Sequence, residues 1–192
     1  MKFKNLHIIA GCNGSGKTTA SFTILPELLM CMEFVNADEI AKGLSPFQPD
    51  RVSLEAGRIM LSRINELFSK NESFAFETTL ATRSYRTKIL DAQKNGYFVN
   101  LVFFWLNSVD LAKERVKTRV LEGGHNIPVE VIERRYTNGI KNLFDIYLPI
   151  VDKAYIFDNS NGNHLLIAEK SKGTEINIIN PTLYNTLKTT YD

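Results

Sequence analysis

The sequence predicts an α/β fold in which a five-stranded parallel sheet is flanked by helices. Three observations support this prediction. Strand and helix patterns alternate along most of the 192 residues, as they do where long crossovers join parallel strands. A glycine-rich segment joins the first predicted strand to the first predicted helix. The run 97–106 is almost continuously apolar, as expected of a central strand covered on both faces.

Five short, mainly apolar segments supply the predicted strands. They cover residues 6–10, 33–35, 73–76, 97–106 and 154–157. In an open parallel sheet, the ligand binds beyond the carboxyl ends of the strands. The side chains that follow each strand are therefore the first candidates for a functional site.

Helical patterns occupy the intervals between these strands. They cover residues 19–29, 38–42, 50–69, 82–95 and 108–121, followed by a helix that begins near Pro128. Asp50 and Ser108 are suited to helix N-caps, and Gly96 is suited to a C-cap. Because strands alternate with helices and are joined by long crossovers, the pattern agrees with the predicted sheet.

A single domain is predicted for residues 1–192, since a chain of this length can bury a core of its own. Its C-terminal part, from about residue 161, departs from the strand–helix alternation. Segments 164–168 and 175–179 resemble the two strands of a hairpin, and residues 181–190 predict a closing helix.

Composition excludes several classes of protein. The net charge of +2 gives no global basic field, so a nucleic-acid partner is not expected. Cys12 and Cys31 supply neither a disulfide framework nor a metal-site spacing. The sequence shows no signal-peptide pattern at its start and no apolar stretch of membrane-spanning length. We therefore expect a cytoplasmic protein without a membrane partner.

The segment Gly11–Thr18 carries the most informative motif of the chain. Its sequence, GCNGSGKT, fits the pattern G-x-x-x-x-G-K-[ST] of a phosphate-binding P-loop, and it stands between a strand and a helix. Backbone amides and a helix N-terminus would cradle the phosphates of ATP or GTP. Lys17 would reach the β- and γ-phosphates, and the Thr18 hydroxyl would hold Mg²⁺. The alternative is a chance glycine-rich turn that opens a helix.

The predicted nucleotide-binding residues extend over the whole motif and one residue beyond it. They are Gly11, Asn13, Gly14, Ser15, Gly16, Lys17, Thr18 and Thr19. Cys12 lies inside the motif, where we expect it to serve as a small side chain. A reactive thiol at the helix N-terminus is the alternative.

Asp38 follows the second predicted strand, beside the P-loop in this topology. Its carboxylate could accept the proton of a substrate hydroxyl while the P-loop holds the phosphoryl group to be transferred. The alternative is structural, because Asn36 or Asp38 could simply cap the short helix that begins there.

Glu77 ends the third predicted strand, where P-loop proteins place the acid that holds Mg²⁺ directly or through water. The carboxylate could also bind substrate, or it could be a surface group at a strand exit. Thr78 adds a hydroxyl for substrate nearby, and Arg83 could lie at the mouth of the site. Two exposed helix arginines, Arg83 and Arg86, are the simpler interpretation of that region.

Residues 115–136 resemble a lid, in which two arginine-bearing helices flank a glycine-rich turn. Closure would bring guanidinium groups toward the γ-phosphate as charge builds in the transition state, and we favour Arg119 and Arg135 for this role. The guanidinium group suits this task because its planar fork matches phosphate oxygens. The alternative is a helical hairpin whose arginines pair with nearby glutamates at the surface.

Two further segments remain open to more than one interpretation. His125 could act as a general acid, bind substrate, or bond to the backbone of the turn. Residues 158–160 could border the adenine, support the P-loop, or form a polar turn.

Taken together, these segments resemble the zeta toxin family of P-loop kinases. The matching segments are Gly11–Thr19, Asn36–Ile40, Phe76–Thr79, Gly123–His125 with Pro128, Arg134–Tyr136, and Asn142 with Leu143. The resemblance spans about residues 6–160. It implies a fold similar to that of nucleoside monophosphate kinases, with a five-stranded parallel sheet and a lid.

The resemblance also implies an activity. Known zeta toxins use ATP or GTP and magnesium to phosphorylate a hydroxyl of a UDP-N-acetyl amino sugar, and an antitoxin blocks their nucleotide site. By resemblance, Lys17 and Thr18 bind the phosphates and Mg²⁺, and Asp38 is the candidate base. Glu77 binds substrate or magnesium. Arg119, with Arg134 or Arg135, stabilises the transferring phosphoryl group.

The leading hypothesis is a small-molecule kinase that acts on a hydroxyl group, such as that of an amino-sugar nucleotide. One alternative is an NTPase or nucleotide switch without a small-molecule acceptor. Another is a toxin module neutralised by a protein antitoxin. A polynucleotide kinase is a weaker alternative, because the nearly neutral charge does not favour a nucleic-acid substrate.

Overall fold

The computed structural model describes residues 4–124 and 126–191, which form one mixed sheet with helices on both faces. The strands are β1 (Lys4–Gly11), β2 (Phe34–Val35), β3 (Phe74–Thr78), β4 (Tyr97–Trp105), β5 (Lys153–Asp158), β6 (Leu165–Ser171) and β7 (Asn177–Ile178). They are arranged in the order β2-β3-β1-β4-β5-β6-β7. Strands β1 to β5 are parallel, which confirms the predicted core of the sheet.

The sheet contains seven strands rather than five, although five of them form the predicted parallel part. The C-terminal hairpin was predicted, but its strands β6 and β7 pair antiparallel with the edge strand β5 and extend the same sheet. Pairing supplies partners for backbone groups of β5 that an edge strand would leave unpaired.

The helices lie between the strands much as the sequence patterns predict. They are α1 (Lys17–Thr23), α2 (Ala37–Leu44), α3 (Ser53–Ser69), α4 (Tyr85–Lys94), α5 (Val109–Leu121), α6 (Val129–Asn142), α7 (Leu148–Ile150) and α8 (Pro181–Tyr191). Single π-helical turns, Ile24–Leu28 and Leu143–Tyr147, extend α1 and α6. A 3₁₀ turn, Pro49–Val52, precedes α3, so Asp50 lies in that turn and the helix begins three residues later.

Helix α4 begins at Tyr85, three residues after the predicted start. The preceding loop is held in a non-helical path by side chains from the end of α6 and the turn beyond it. Asn142 Nδ2 donates to the carbonyl of Leu80, which has a left-handed φ of 60°, and the Tyr147 hydroxyl donates to the carbonyl of Thr82. These tertiary hydrogen bonds override the local helix preference.

Side chains from both faces of the sheet form the core. The larger cluster contains Leu6, Ile8, Phe74 and Leu101 and packs under the helices that follow β2. The smaller cluster lies against α1 and contains residues of the opposite parity, such as Ile9. Because both faces are covered, the central strands are nearly continuous apolar runs. Among the described residues, no helix has the length and apolarity needed to cross a membrane.

Strand β1 lies between β3 and β4, and this order places the functional segments. In the register of the sheet, Ile9 is beside Glu77 and Ala10 is beside Thr78. The P-loop follows β1 directly. The carboxyl end of β3 therefore lies next to the P-loop, although more than 50 residues of sequence separate them.

Candidate active site

A cleft of about 1120 Å³ opens at the carboxyl ends of the central strands. Most of the predicted site residues line it. These are Asn13, Gly14, Gly16, Lys17, Thr18, Thr19, Asp38, Glu77, Thr78, Arg119 and Arg135. Gly11 and Ser15 are buried in the P-loop behind them. Arg83 and Arg134 are exposed and do not line the cleft, so the structure does not bring these two side chains to the site.

The P-loop adopts the conformation that its sequence predicts. Helix α1 begins at Lys17, directly after Gly16, which has a left-handed φ of 80°. A Cβ on Gly16 would lie 2.5 Å from Asn159 Nδ2, so this position is restricted to glycine by close packing as well as by its φ. Asn159 Nδ2 itself donates to the carbonyl of Ser15 at 2.8 Å. The loop is therefore fixed by the segment that follows β5.

Lys17 lies at the bottom of the cleft with 6% of its surface exposed. Its ammonium group donates to the carbonyl of Cys12 at 2.8 Å and lies 3.5 Å from Glu77 Oε1. A buried ammonium needs such partners, because desolvation of an unpaired charge is costly. These contacts hold the Lys17 charge within the P-loop.

Glu77 accepts hydrogen bonds from a residue at the start of α1 and from a residue that follows β2. Thr18 Oγ1 and Asn36 Nδ2 each donate to Glu77 Oε2, and both distances are 2.8 Å. Asn36 Nδ2 also lies 3.4 Å from Thr18 Oγ1. The residues predicted to hold Mg²⁺, Thr18 and Glu77, are thus in direct contact. The interpretation of Glu77 as a surface group is wrong, since only 10% of its side chain is exposed.

Asp38 is the second residue of α2, and the cap of that helix is Asn36. Asp38 lines the cleft. Its negative charge acts to raise the pKa of Arg135, although burial has the larger effect and lowers that pKa overall. Because Asn36 supplies the cap, the Asp38 side chain is available for another role.

Arg135 is the arginine of α6 that faces the site. Its Nη1 donates to Asn13 Oδ1 of the P-loop at 3.2 Å. The adjacent Arg134 is exposed because successive residues of a helix point about 100° apart. The structure therefore distinguishes two arginines that the family resemblance left equivalent.

Arg119 reaches the cleft from α5, next to the turn that ends this helix. The amide of Gly124 donates to the carbonyl of Arg119 at 2.8 Å. A Cβ on Gly124 would lie 2.6 Å from Arg119 Cγ, so glycine allows the turn to pack directly on this side chain. His125, another candidate, lies outside the described residues.

Arg115, one turn before Arg119 on α5, was not predicted as a site residue. Its guanidinium donates to the carbonyls of Asn159 at 2.9 Å and Ser160 at 2.7 Å, and to the carbonyl of Gly14 at 3.4 Å. It thereby connects the P-loop to the end of β5. No local sequence signal could identify this role, because Gly14 and Arg115 are 101 positions apart.

The segment after β5 supports the P-loop, which is one of the three interpretations that the sequence left open. The amide and the hydroxyl of Ser160 both donate to Asp158 Oδ1, and the hydroxyl of Ser160 accepts from the amide of Asn107. Asp158, Asn159 and Ser160 are all buried. This buried network orients Asn159 toward Ser15.

Both thiols are buried, and burial favours their protonated, unreactive form. Burial raises the pKa of Cys12 to about 11, and it also raises the pKa of Cys31. The positive charge of Lys17 lowers the Cys12 pKa, but this effect is smaller than that of burial. A reactive P-loop thiolate at neutral pH is therefore not supported.

The chain is similar in sequence to known proteins. A model of the zeta toxin family matches residues 2–171 of the chain. An uncharacterized protein of Haemophilus influenzae is 31% identical over 127 residues, which make up 66% of this chain and 88% of that protein.

Solved structures share the fold. A chain of the AvrRxo1-ORF1:-ORF2 crystal structure with ATP superposes with a TM-score of 0.80 at 18% identity, over 98% of this chain and 64% of that one. A chain of the PezAT chromosomal toxin–antitoxin system of Streptococcus pneumoniae gives 0.65 at 14% identity, over 99% and 86%. This chain thus spans less than two thirds of the AvrRxo1 chain that it matches.

Proposed function

The chain belongs to the zeta toxin family of P-loop phosphotransferases, and on that premise we propose that it transfers the γ-phosphoryl group of ATP or GTP to a hydroxyl group of a small molecule. One observation carries the proposal most directly. At the P-loop, the Lys17 ammonium lies 3.5 Å and the Thr18 hydroxyl lies 2.8 Å from the Glu77 carboxylate. This is the combination that phosphoryl transfer requires: an anion cradle, a cation and an oxygen ligand for a metal.

The donor set of the cleft fits magnesium. Thr18 Oγ1 and the Glu77 carboxylate are oxygen donors, and Mg²⁺ is usually held by one or two carboxylates together with phosphate oxygens and water. The residues described contain no group of three histidine, cysteine or acidic side chains that could hold a metal without the nucleotide. In this proposal, Thr18 and Glu77 would hold magnesium together with the nucleotide phosphates. The ion would neutralise part of the phosphate charge.

Lys17 has a direct role in binding the nucleotide. In the structure its ammonium bonds to the Cys12 carbonyl and lies near Glu77. When phosphates enter the P-loop, the ammonium exchanges these contacts for β- and γ-phosphate oxygens. Because it is already held in the loop, little side-chain entropy is lost on binding.

Asp38 is the proposed general base. It accepts the proton of the acceptor hydroxyl as the oxygen of that hydroxyl forms a bond to the γ-phosphorus. The bond from the γ-phosphorus to the bridging oxygen breaks, and the nucleoside diphosphate leaves with the electron pair. Asp38 lines the cleft, and its charge acts on Arg135, which lines the same cleft; both observations support this assignment.

Arg119 and Arg135 are the proposed donors to the transferring phosphoryl group. They reach the cleft from two different helices, α5 and α6, and both are partly buried. Guanidinium groups in a partly dehydrated cleft stabilise developing negative charge better than they would in water. Arg134 and Arg83 are exposed, so the geometry favours Arg135 over Arg134 for this role.

The acceptor would occupy the part of the cleft beyond the P-loop. Asp38, Glu77 and Thr78 line this region, and the hydroxyl groups of Thr79 and Thr82 extend it. A wall rich in hydroxyls and carboxylates suits a polyhydroxylated acceptor, because each substrate hydroxyl can both donate and accept. The family resemblance makes an amino-sugar nucleotide the first acceptor to test.

A protein antitoxin is the proposed macromolecular partner. The PezAT structure is named for a chromosomal toxin–antitoxin system. On this chain, Phe22, Leu54 and Leu61 are exposed and line the cleft. A protein that covers these apolar side chains would also block the cleft. Co-expression with neighbouring genes, followed by co-purification and an assay of nucleotide turnover, tests this partner.

A labelling experiment tests the kinase proposal. The folded protein is incubated with γ-labelled ATP, Mg²⁺ and a metabolite pool that contains UDP-N-acetyl amino sugars. We expect label to appear on one hydroxyl compound and nucleotide consumption to rise when that compound is added alone. Release of free phosphate at the same rate with every compound would identify an NTPase instead.

Two lysine variants form a matched pair, in which Lys17→Met is the test and Lys94→Met is the control. Lys17→Met keeps the aliphatic stem but removes the ammonium, and we expect turnover to fall by about 10³-fold or more because charge stabilisation is lost. Lys94→Met removes an ammonium from an exposed surface pair with Asp91 and should leave turnover unchanged. Absence of ATP and GTP binding by the wild-type protein in calorimetry with magnesium would overturn the proposal.

A further inference from the structure

Asn36 connects the start of α2 to the carboxylate of Glu77. It follows β2 directly, its backbone is extended, and only 5% of its surface is exposed. At one end of the side chain, Oδ1 accepts from the amide of Asp38 at 2.8 Å and from the amide of Glu39 at 3.3 Å. This end caps the helix that presents Asp38 to the cleft.

The other end of the same amide bonds to the proposed metal ligands. Asn36 Nδ2 donates to Glu77 Oε2 at 2.8 Å and lies 3.4 Å from Thr18 Oγ1. One rigid side chain thus fixes two groups that belong to different elements, the carboxylate at the end of β3 and the first turn of α2.

The orientation of the amide is determined by its neighbours. The two backbone amides at one end require an acceptor, and the Glu77 carboxylate at the other end requires a donor. A flipped amide would place its oxygen against a carboxylate and its NH₂ group against N–H groups. Asparagine therefore fits both ends, whereas aspartate or serine fits only the cap.

We propose that Asn36 is a positioning residue with two effects. It orients the Glu77 carboxylate for binding magnesium, and it fixes the position of α2, which carries Asp38, relative to that carboxylate. This inference rests on the proposed function, because it assigns Asn36 to the same nucleotide site. Partners that orient a metal ligand commonly change metal affinity or activity by about 10- to 100-fold when they are removed. A residue that acted only as a helix cap would change stability without changing the response to magnesium.

Two substitutions keep the helix cap but remove the hydrogen bond from Asn36 to Glu77, which we call the bridge. Asn36→Ser keeps a good N-cap but is too short to reach Glu77. Asn36→Asp also keeps the cap, but it places a carboxylate oxygen where Nδ2 now donates to Glu77 Oε2. Like charges at that distance repel each other, so the bridge is lost in a second, independent way.

The matched control is Asn180, which caps a helix away from the cleft. Its Oδ1 accepts from the amide of Leu183 at 3.1 Å in the first turn of α8, and it does not line the cleft. Asn180→Ala removes a cap of the same residue type, so it should lower the melting temperature without changing the response to magnesium.

The experiment measures binding as well as turnover. Calorimetric titrations with ATP are repeated at increasing Mg²⁺ concentrations. They give the Mg²⁺ concentration that produces half of the maximal increase in ATP affinity. For N36S and N36D we expect this concentration to rise by about 10-fold or more, with ATP affinity in the absence of magnesium unchanged for N36S. Turnover should fall in parallel, and N36S should melt close to the wild-type temperature.

The outcomes distinguish the two proposals. If wild-type protein binds ATP and both variants keep the wild-type magnesium dependence, Asn36 is only a cap and this inference is overturned. If N180A shifts the magnesium dependence as much as N36S does, the effect is one of general stability, and the inference is also overturned. If the wild-type protein itself binds no nucleotide, the proposed function fails first.

Discussion

The hydroxyl of Thr18 and the carboxylate of Glu77 lie 2.8 Å apart, although 59 positions separate them in the sequence. The contact exists because β1 and β3 are parallel neighbours whose carboxyl ends coincide. A hydroxyl from the start of α1 and a carboxylate from the end of a strand thereby form a pair of oxygen donors beside the P-loop.

The first prediction concerns the negative charge of Glu77. Glu77→Gln keeps the shape and the contact with Thr18 but removes the negative charge. We expect magnesium-dependent turnover to fall by at least about 100-fold, because several kcal/mol of metal-assisted charge stabilisation are lost. Nucleotide consumption measured over a range of magnesium concentrations checks this.

The control for Glu77 is Glu33→Gln. Glu33 pairs with Arg63 at the surface at 2.7 Å and does not line the cleft. Its removal should leave turnover as in the wild type. A Glu77→Gln protein that responds to magnesium as the wild type does would show that this carboxylate does not hold the ion.

The second prediction separates two neighbouring arginines. Arg135→Ala should lower turnover by about 10²- to 10³-fold, as the loss of one donor to a developing oxyanion typically does. Arg134→Ala removes an exposed side chain outside the cleft and should change turnover by less than about threefold. Steady-state kinetics of both variants checks this, and equal losses in the two would contradict the orientation of α6.

The third prediction concerns the support of the P-loop. Arg115→Lys keeps the positive charge but cannot reproduce the fork that bonds to the carbonyls of Asn159 and Ser160. If about two hydrogen bonds worth about 1 kcal/mol each are lost, ATP affinity should weaken by roughly 30-fold. Calorimetry with ATP and thermal melting check this.

The control for Arg115 is Arg63→Lys, which alters a surface arginine bonded to Glu33 and Glu66. We expect ATP affinity to be unaffected in that variant. Unchanged ATP affinity in Arg115→Lys would mean that the charge of this residue, and not its fork, matters to the loop.

The fourth prediction concerns acid stability. His7 is buried in β1, and neither ring nitrogen has a hydrogen-bond partner among the described residues. Burial lowers the pKa of His7 from 6.5 to about 4. Between these two pH values, the unfolded chain binds a proton that the folded protein excludes. The contribution of the neutral His7 to the free energy of unfolding is therefore fully present above pH 6.5 and is lost as the pH falls toward 4.

The free energy of unfolding should fall by about 2 kcal/mol between pH 7.5 and pH 5 through this group alone. His7→Leu should remove that part of the pH dependence, whereas the exposed His164→Leu should not. Urea denaturation at the two pH values measures the difference. An unchanged difference in His7→Leu would contradict a buried neutral imidazole.

Much of the fold and part of the candidate site could be predicted from the sequence, because the relevant patterns are local. The P-loop is a continuous segment, and Asp38 and Glu77 follow strands directly. The strand ends of a parallel sheet meet at one edge, so local patterns were enough to place these residues at one cleft.

The rest depends on contacts that no local pattern encodes. Asn36 was recognised as a possible cap, but its bond to Glu77 requires the register of β2 on β3. Arg115 reaches Gly14 only because α5 packs beside the P-loop. Likewise, the C-terminal hairpin was predicted, but its pairing with β5 depends on an exposed strand edge that becomes apparent only once the sheet is assembled.

The burial of both native thiols makes the chain suitable for site-directed labelling. Because Cys12 and Cys31 are inaccessible and mostly protonated at neutral pH, a maleimide dye should react selectively with one new cysteine on the surface. A Lys117→Cys substitution would place such a dye on the exposed side of α5. Its fluorescence would then report whether α5 moves as nucleotide is added, without removal of either native cysteine.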